Sequence, residues 1–430
     1  MKKKIFVVAP ALSRSGYGVH ARTVLRALRT REDEFDIYLH NLNWGSSSWI
    51  YQDDEERRWV DELLLKTVKH QQNGGTFDAS IQVTIPNEWQ LIAPVNVGVT
   101  AGIETTKVSP QWIEKANMMD RIIVVSNHAK YVYENTIYAF QGNNEGSSEH
   151  PVTEHKCTTP IDVVGYPVLQ HDPEELDLKL DYDFNFLVVA QWGPRKNVPN
   201  TIKWFVEEFH DQEVGLVLKI NIGKDSIIDR FHTNRNIEAV LGEFPDRVCK
   251  VYLLHGDLTD GQMTSLYQNP KIKSLINLSH GEGFGLPIFE AAYNGMPVMA
   301  PDWSGHVDFL YMPVKDKKTN KVTNKAMFSK VPFTMQQVAK EAVWDGVVQE
   351  DSMWCYPEQG KFKMRLKEVV KDYGRFKSQA TKLQKWICKT FTEKKQYAMY
   401  VDSIKESLPE TQNVDEWFTE LNHGIEVHEG

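Results

Sequence analysis

The 430-residue sequence predicts an α/β protein made of two Rossmann-like, doubly wound domains. Three observations carry that expectation. The chain is too long for one ordinary domain, and two is the natural division. Short apolar runs alternate with helical patterns along most of it, which implies parallel sheets with helices on both faces. Twice, an apolar run feeds a glycine loop and then a helix, once near residue 16 and again near residue 283. Functional groups of such sheets gather at the carboxyl ends of the strands.

The second of these units organises the chain. It reads Ser279-His280-Gly281-Glu282-Gly283-Phe284-Gly285-Leu286-Pro287-Ile288-Phe289-Glu290 and follows an apolar run at 274–278, expected to be a buried strand. Gly281, Gly283 and Gly285 are expected to let the backbone approach a ligand without Cβ clashes. Pro287 fits the first turn of a helix. That helix should run to about Asn294, with Gly295 ending it and 296–300 forming the next strand. Free N–H groups and the helix dipole make such an N-terminus attractive to phosphate. Glu282 and Glu290 repel phosphate and suit hydroxyls instead. A nucleotide sugar offers both a diphosphate and two sets of hydroxyls.

Composition narrows the class. No apolar run is long enough to span a bilayer. Met1-Lys2-Lys3-Lys4 is basic, but the apolar run at 5–9 is short and stops at Pro10, so it reads as a first strand and not a signal peptide. Cys157, Cys249, Cys355 and Cys388 form neither a CxxC nor a metal pattern, which favours a reducing cytoplasm. A net charge of −9 argues against an extended nucleic-acid surface, though a local basic patch is compatible with it. The 12 Trp and 16 Tyr supply rings of the kind that stack on sugars, most of them destined for the core.

In chain order, a strand over 4–9 leads into Ser13-Arg14-Ser15-Gly16-Tyr17-Gly18-Val19-His20 and a helix through Val24, Leu25 and Leu28. The third glycine of a dinucleotide fingerprint is missing. Arg14 and His20 are expected chiefly as surface side chains, with a position facing the cleft as the alternative. Further strands are expected over 35–39, 77–83, 95–100, 121–125 and 161–164, with helices over 53–69 and 110–118 and another starting at Asn127. Ser126 is a plausible cap for that last helix. Glu104 and Ser126 fall at strand ends. The run 141–148 is polar and turn-rich. A second set of strands is expected over 184–190, 214–220 and 248–254, with helices to about Phe209 and over 260–268. Lys219 or Asn221 lines the cleft floor in this reading, and His306 and Asp308 are further cleft candidates. Lysines crowd 315–330 in a basic hairpin or loop, read as a solvated surface with contact to an anionic acceptor as the competing reading. Residues 362–395 read as helical, and an acidic tail follows Leu408.

The Glu-x7-Glu pair inside Glu-Gly-Phe-Gly-Leu-Pro-x-x-Glu-Ala resembles the signature of the retaining family-4 glycosyltransferases of the GT-B fold. The likeness covers nearly all of 184–400 and, more loosely, 1–165. It implies two domains facing across a cleft and a C-terminal helix crossing back to the first. It implies that Glu290 bonds the nucleotide ribose, that Glu282 lies by the donor sugar, and that the Gly283, Phe284, Gly285 and Leu286 backbone runs near sugar and phosphate. Gln191-Trp192-Gly193-Pro194-Arg195-Lys196 resembles the family's phosphate segment, making Arg195 and Lys196 the diphosphate pair. Several relatives carry an additional Arg where this chain has Gln191-Trp192. The family's first glycine loop faces the cleft, which places Gly16 and Gly18 there. Glu104 resembles a Glu that lines the acceptor side in some members, with helix capping or packing as the alternative; many members have a His nearby. Asp181-Tyr182-Asp183 matches the metal motif of the other large glycosyltransferase fold but sits in the expected linker, so no metal site is assigned.

The resulting expectation is a retaining, metal-independent, cytoplasmic glycosyltransferase (host-cytoplasmic if viral). Its donor is a nucleotide-diphosphate sugar, needing no further cofactor, and its acceptor is a glycan, a small molecule or a DNA base. The expected division is 1–170 acceptor domain, 171–183 linker, 184–390 donor domain and 391–430 helical crossover and tail. A virus-type, DNA-modifying enzyme, a non-catalytic nucleotide-sugar-binding module and a phosphorylase of the same architecture are the competing readings.

Overall fold

The computed structural model describes residues 2–141, 152–316 and 318–409. Most of the polar stretch at 141–148, Lys317 within the basic segment, and the acidic tail from 410 onward lie outside the described residues.

The first domain runs β1 (Lys3–Ala9), α1 (Gly16–Arg29), β2 (Phe35–Asn41), α2 (Glu55–Gln72), β3 (Ala79–Val83), β4 (Val95–Thr100), α3 (Pro110–Asn117), β5 (Arg121–Val124) and α4 (Asn127–Asn135). A hairpin, β6 (Ile137–Gln141) with β7 (Val152–Lys156), then precedes β8 (Ile161–Val163). Six of these strands form one parallel sheet in the order β2-β1-β3-β4-β5-β8. Central strands β3 and β4 are buried throughout, as helices on both faces require.

The second domain runs β9 (Asn185–Gln191), α5 (Val198–Phe209), β10 (Gly215–Asn221), α6 (Ile227–Leu241), β11 (Lys250–Leu253), α7 (Asp260–Gln268), β12 (Ile272–Ile276), α8 (Leu286–Tyr293), β13 (Val298–Pro301) and α9 (Val307–Leu310). The hairpin β14 (Tyr311–Lys315) and β15 (Val322–Ala326) follows, then β16 (Ser329–Val331). Its parallel sheet has the order β11-β10-β9-β12-β13-β16. The chain order reverses between β9 and β12 here, and between β1 and β3 in the first sheet. Loops at the carboxyl ends of such reversals are where open α/β sheets hold ligands.

The basic segment is a hairpin, as one of its two readings had it, with Lys330 in the last strand of the main sheet. The stretch 362–395 is helical as expected, divided into α10 (Gln359–Lys371), α11 (Tyr373–Thr390) and the start of α12 (Glu393–Lys405). Asp372 and Phe391 leave helical geometry and break it.

Two connections tie the domains together. Helix α12 returns to the first domain, where Tyr397, Tyr400, Val401 and Ile404 join the core around β1 and α1. His20 Nε2 and the Tyr400 hydroxyl lie 2.9 Å apart beneath it, so His20 is buried and not a surface side chain. The second connection comes from the hairpin β17 (Phe333–Gln337) and β18 (Met353–Pro357). Its long loop, 338–352, crosses to the first domain. Gly346 O accepts hydrogen bonds from Asn87 Nδ2 (2.9 Å) and Ser109 Oγ (2.7 Å), and Met353 N donates to Thr106 Oγ1 (3.0 Å). Val347 is buried with Trp89, Val108 and Trp112 in the first domain's second core cluster.

Candidate functional site at the domain cleft

Strand β9 ends in a one-turn 3-10 helix, Pro194–Lys196. Asn197 closes it in the left-handed region (φ 53°), a conformation asparagine tolerates better than most residues. Its Nδ2 donates to Leu278 O at 3.3 Å, which holds the turn against the end of β12. Arg195 and Lys196 are thereby aimed at the loop between β12 and α8.

That loop is cross-braced. Asn277 Oδ1 accepts from Ser279 N (3.0 Å), and Asn277 Nδ2 donates to Glu282 Oε1 (3.2 Å). Glu282 N and Ser304 Oγ are 2.9 Å apart. Glu282 is only 5% exposed. Lys196 Nζ lies 2.6 Å from its Oε1, and Arg195 Nη1 lies 3.1 Å from its Oε2. Burial alone would raise the Glu282 pKa; the Lys196 and Arg195 charges overcome it and hold the carboxyl well below the usual range. Burial, aided by the Arg195 charge, draws the Lys196 ammonium pKa down. Arg195 Nη2 also reaches Glu104 Oε1 at 3.2 Å, and its Nη1 donates to Gly281 O at 2.7 Å. Glu104 is therefore neither a helix cap nor a core residue. It comes from the other domain to pair with the same guanidinium.

Two of the three glycines of the motif lie tight against the first domain. A Cβ on Gly281 would overlap Glu104 O, and one on Gly283 would overlap Ala101 O. Both are close approaches to the first domain's backbone, and Gly283 lines the cavity as well. Gly285 does need its glycine: it caps α8 at φ 92°. In the first loop, a Cβ on Gly18 would strike Ser13 O, so Gly18 makes the tight turn, whereas Gly16 is open. Phe284 packs against Tyr166, Phe289 and Phe309.

These groups surround a cavity of about 600 Å³ between the domains. Gly16 and Glu104 line it from the first domain; Arg195, Lys196, Glu282, Gly283, Phe284, Gly285, Leu286 and Glu290 line it from the second, as do both Lys219 and Asn221. Gly18 does not. Glu290 is half-buried and accepts from the Tyr267 hydroxyl at 2.8 Å. Burial raises its pKa to about 7, and the Tyr267 bond offsets part of that effect.

His306 and Asp308 do not reach the cavity. His306 is buried, with Nε2 2.7 Å from Pro301 O, and Asp308 accepts from Asn127 N at 2.7 Å across the interface. Arg14, expected at the surface, lines the cleft and pairs with Asp257 across it at 3.3 Å. Asp225 lies beside Asp257 and helps burial raise the Asp257 pKa to about 6. Asn277, Ser304, Tyr267 and Asp257 carried no motif that could have singled them out; Ser304, Tyr267 and Asp257 act through partners outside their own segments, and Asn277 through the fold of the loop that follows it. Asp181, of the rejected metal motif, accepts from Lys250 Nζ at 2.7 Å.

Two doubly wound domains across a cleft, with a C-terminal helix returning to the first, define the GT-B architecture, and this chain has it. Solved structures share that arrangement. A sucrose-phosphate synthase from Thermosynechococcus elongatus superposes with a TM-score of 0.60 at 13% identity, over 94% of this chain and 99% of that one. HepE of Anabaena, in complex with UDP-glucose, does so with a TM-score of 0.56 at 13% identity, over 94% and 100%. At such identities the likeness is one of fold. No family model matches the sequence, and no curated protein does. Among the described residues, no helix is long and apolar enough to cross a membrane.

Proposed function

We infer that this chain is a retaining glycosyltransferase that moves a sugar from a nucleotide-diphosphate sugar to an acceptor hydroxyl. One observation carries the reading. Two cations and two carboxylates of opposite electrostatic character, Lys196 and Arg195 with depressed Glu282 and raised Glu290, line one interdomain cavity. That set matches the parts of such a donor. The diphosphate takes Lys196, Arg195 and the free N–H groups at the start of α8, which stabilise negative charge on the leaving phosphate as the anomeric bond breaks. Glu282, fixed as a carboxylate, accepts from sugar hydroxyls, and Glu290 from the ribose. Glu104 faces the incoming acceptor. The acceptor hydroxyl attacks on the face the phosphate leaves, and its proton passes to the departing phosphate oxygen, so configuration is retained with neither a covalent carboxylate adduct nor a metal ion. The cocrystallised UDP-glucose of HepE is consistent with a donor of this class. The four free cysteines suit a reducing cytoplasm.

A DNA base as acceptor is the second reading. The β14–β15 hairpin favours it: Lys315, Lys318, Lys321 and Lys325 are exposed there and make no ion pair among the described residues. Salt-dependent DNA binding would mark it.

The test is a thermal-shift panel of UDP-, GDP-, ADP-, TDP- and CMP-linked sugars. A ligand at a hundred times its dissociation constant stabilises by about 2.7 kcal/mol. A shift with one nucleotide series supports the reading; no shift with any overturns it.

A further inference from the structure

Beyond Glu290 lies a second cavity of about 210 Å³, between α1 and the 50–60 segment of the first domain and α7 and α8 of the second. The two cavities share Arg14, Val19, Met263 and Glu290. With the diphosphate at Lys196 and the ribose at Glu290, the base is the remaining part of the donor, and this cavity adjoins the ribose position.

Four arginines line it. Three are engaged by carboxylates: Arg14 by Asp257 at 3.3 Å, Arg26 by Glu56 through two bonds of 2.5 and 2.7 Å, and Arg57 by Asp61 at 3.0 Å. Arg22 has no carboxylate partner among the described residues. Its Nη1 donates to Ala11 O and Ser13 O, both at 2.9 Å. A guanidinium has five N–H donors, and those on Nε and Nη2 meet no acceptor among the described residues. Burial lowers its pKa to about 10, which leaves it charged at neutral pH. Arg22 is half-buried on the cavity wall, and these idle donors are free to bond a ligand that enters it.

We propose that Arg22 reads the donor's base, donating to an oxo group on the base edge opposite the glycosidic bond. This rests on the nucleotide-sugar reading of the larger cavity. Uracil and thymine present O4 on that edge and guanine presents O6. Adenine and cytosine present an amino group instead, which would set donor against donor. The site therefore selects the oxo bases and discriminates against adenine and cytosine, as polar pockets do when an analogue leaves their groups unpaired.

Affinities of the full chain for UDP, CDP, GDP and ADP test this, because UDP and CDP differ only along the edge in question. UDP or GDP should bind roughly tenfold or more tighter than CDP and ADP, the effect of one charge-assisted hydrogen bond. Arg22→Met should collapse that gap, and Arg22→Lys, which keeps a charged donor, should preserve part of it. CDP or ADP binding as tightly as the oxo nucleotides overturns the proposal in the wild-type protein, without recourse to a variant. A folded Arg22→Met that keeps the full gap also overturns it. Equal binding by all four leaves the nucleotide reading standing; failure of all four to bind removes both.

Discussion

Lys196→Met separates a catalytic role from a structural one. In the native protein Lys196 Nζ sits 2.6 Å from Glu282 Oε1 in a site where Glu282 is 5% exposed. Removing one member of a buried pair leaves the other charge uncompensated and costs about 3–5 kcal/mol. Glu282 keeps Arg195 at 3.1 Å and Asn277 at 3.2 Å, so the lower end applies, about 3 kcal/mol. At about 2.1 cal/mol/K of unfolding entropy per residue over 430 residues, that is a fall in Tm of roughly 3 °C. Loss of a preorganised charge at the leaving phosphate should cut turnover by about 10²–10³. The assay pairs initial rates of donor-dependent sugar transfer with thermal unfolding, both read well below the variant's Tm. Lys196→Arg, which keeps a charge, should recover most of the stability but not the rate. A folded Lys196→Met with wild-type turnover would refute the reasoning, because the ammonium would then serve only to neutralise Glu282.

Other outcomes follow from the same geometry. Glu290→Ala should weaken nucleotide binding by about 1.5–3 kcal/mol in a titration, and unchanged affinity would move the ribose elsewhere. Glu290 also predicts a pH dependence of the ligand-free protein. Its folded pKa of about 7 exceeds the ordinary 4.5, so the folded state holds the proton more tightly, and stability should fall as pH rises from about 4.5 to about 7. At ~1.4 kcal/mol per unit this is at most about 3 kcal/mol, an upper bound because the half-buried carboxyl keeps part of its solvent exposure. Glu290→Gln should flatten that slope in denaturant melts at several pH values; an unchanged slope would assign it to another group. Gly283→Ala should cost about 1–3 kcal/mol, since its Cβ would strike Ala101 O and push the domains apart; an unaltered Tm would mean the interface yields freely. Val347→Asp should loosen the 338–352 crossing, seen as faster amide exchange at Trp112 and Ile113, and unchanged protection there would show that the crossing is not what seals that core.

The parts legible in the sequence were those with local causes. Strand β4 and helix α7 fall on the expected residues because turn and capping residues bound them, Thr259 and Gln262 forming a full capping box at α7. Convergence of Arg195, Lys196 and Glu282 was implied by motif. Helix α6 escaped notice because only Thr233 and Ile237 are buried, too few to set a period. The β17–β18 hairpin and its long loop were missed because their partners, Asn87, Thr106 and Ser109, lie more than two hundred positions away. The contact of Gly281 and Gly283 with the other domain was not legible for the same reason: the backbone atoms nearest to an added side chain there, Glu104 O and Ala101 O, are far away in sequence.

The crossing loop and α12 also bear on how the chain is made. The first domain's strands are made before the second domain, yet two patches of its core, those closed by Val347 and by Tyr400 with Ile404, are completed only by residues synthesised after most of the second domain. Until then those patches are bare apolar surface, of the kind that invites aggregation. The halves of this protein are consequently poor candidates for separate production. A fragment ending before residue 184 would lack both covers, whereas the two fragments made together hold every group needed to close each other.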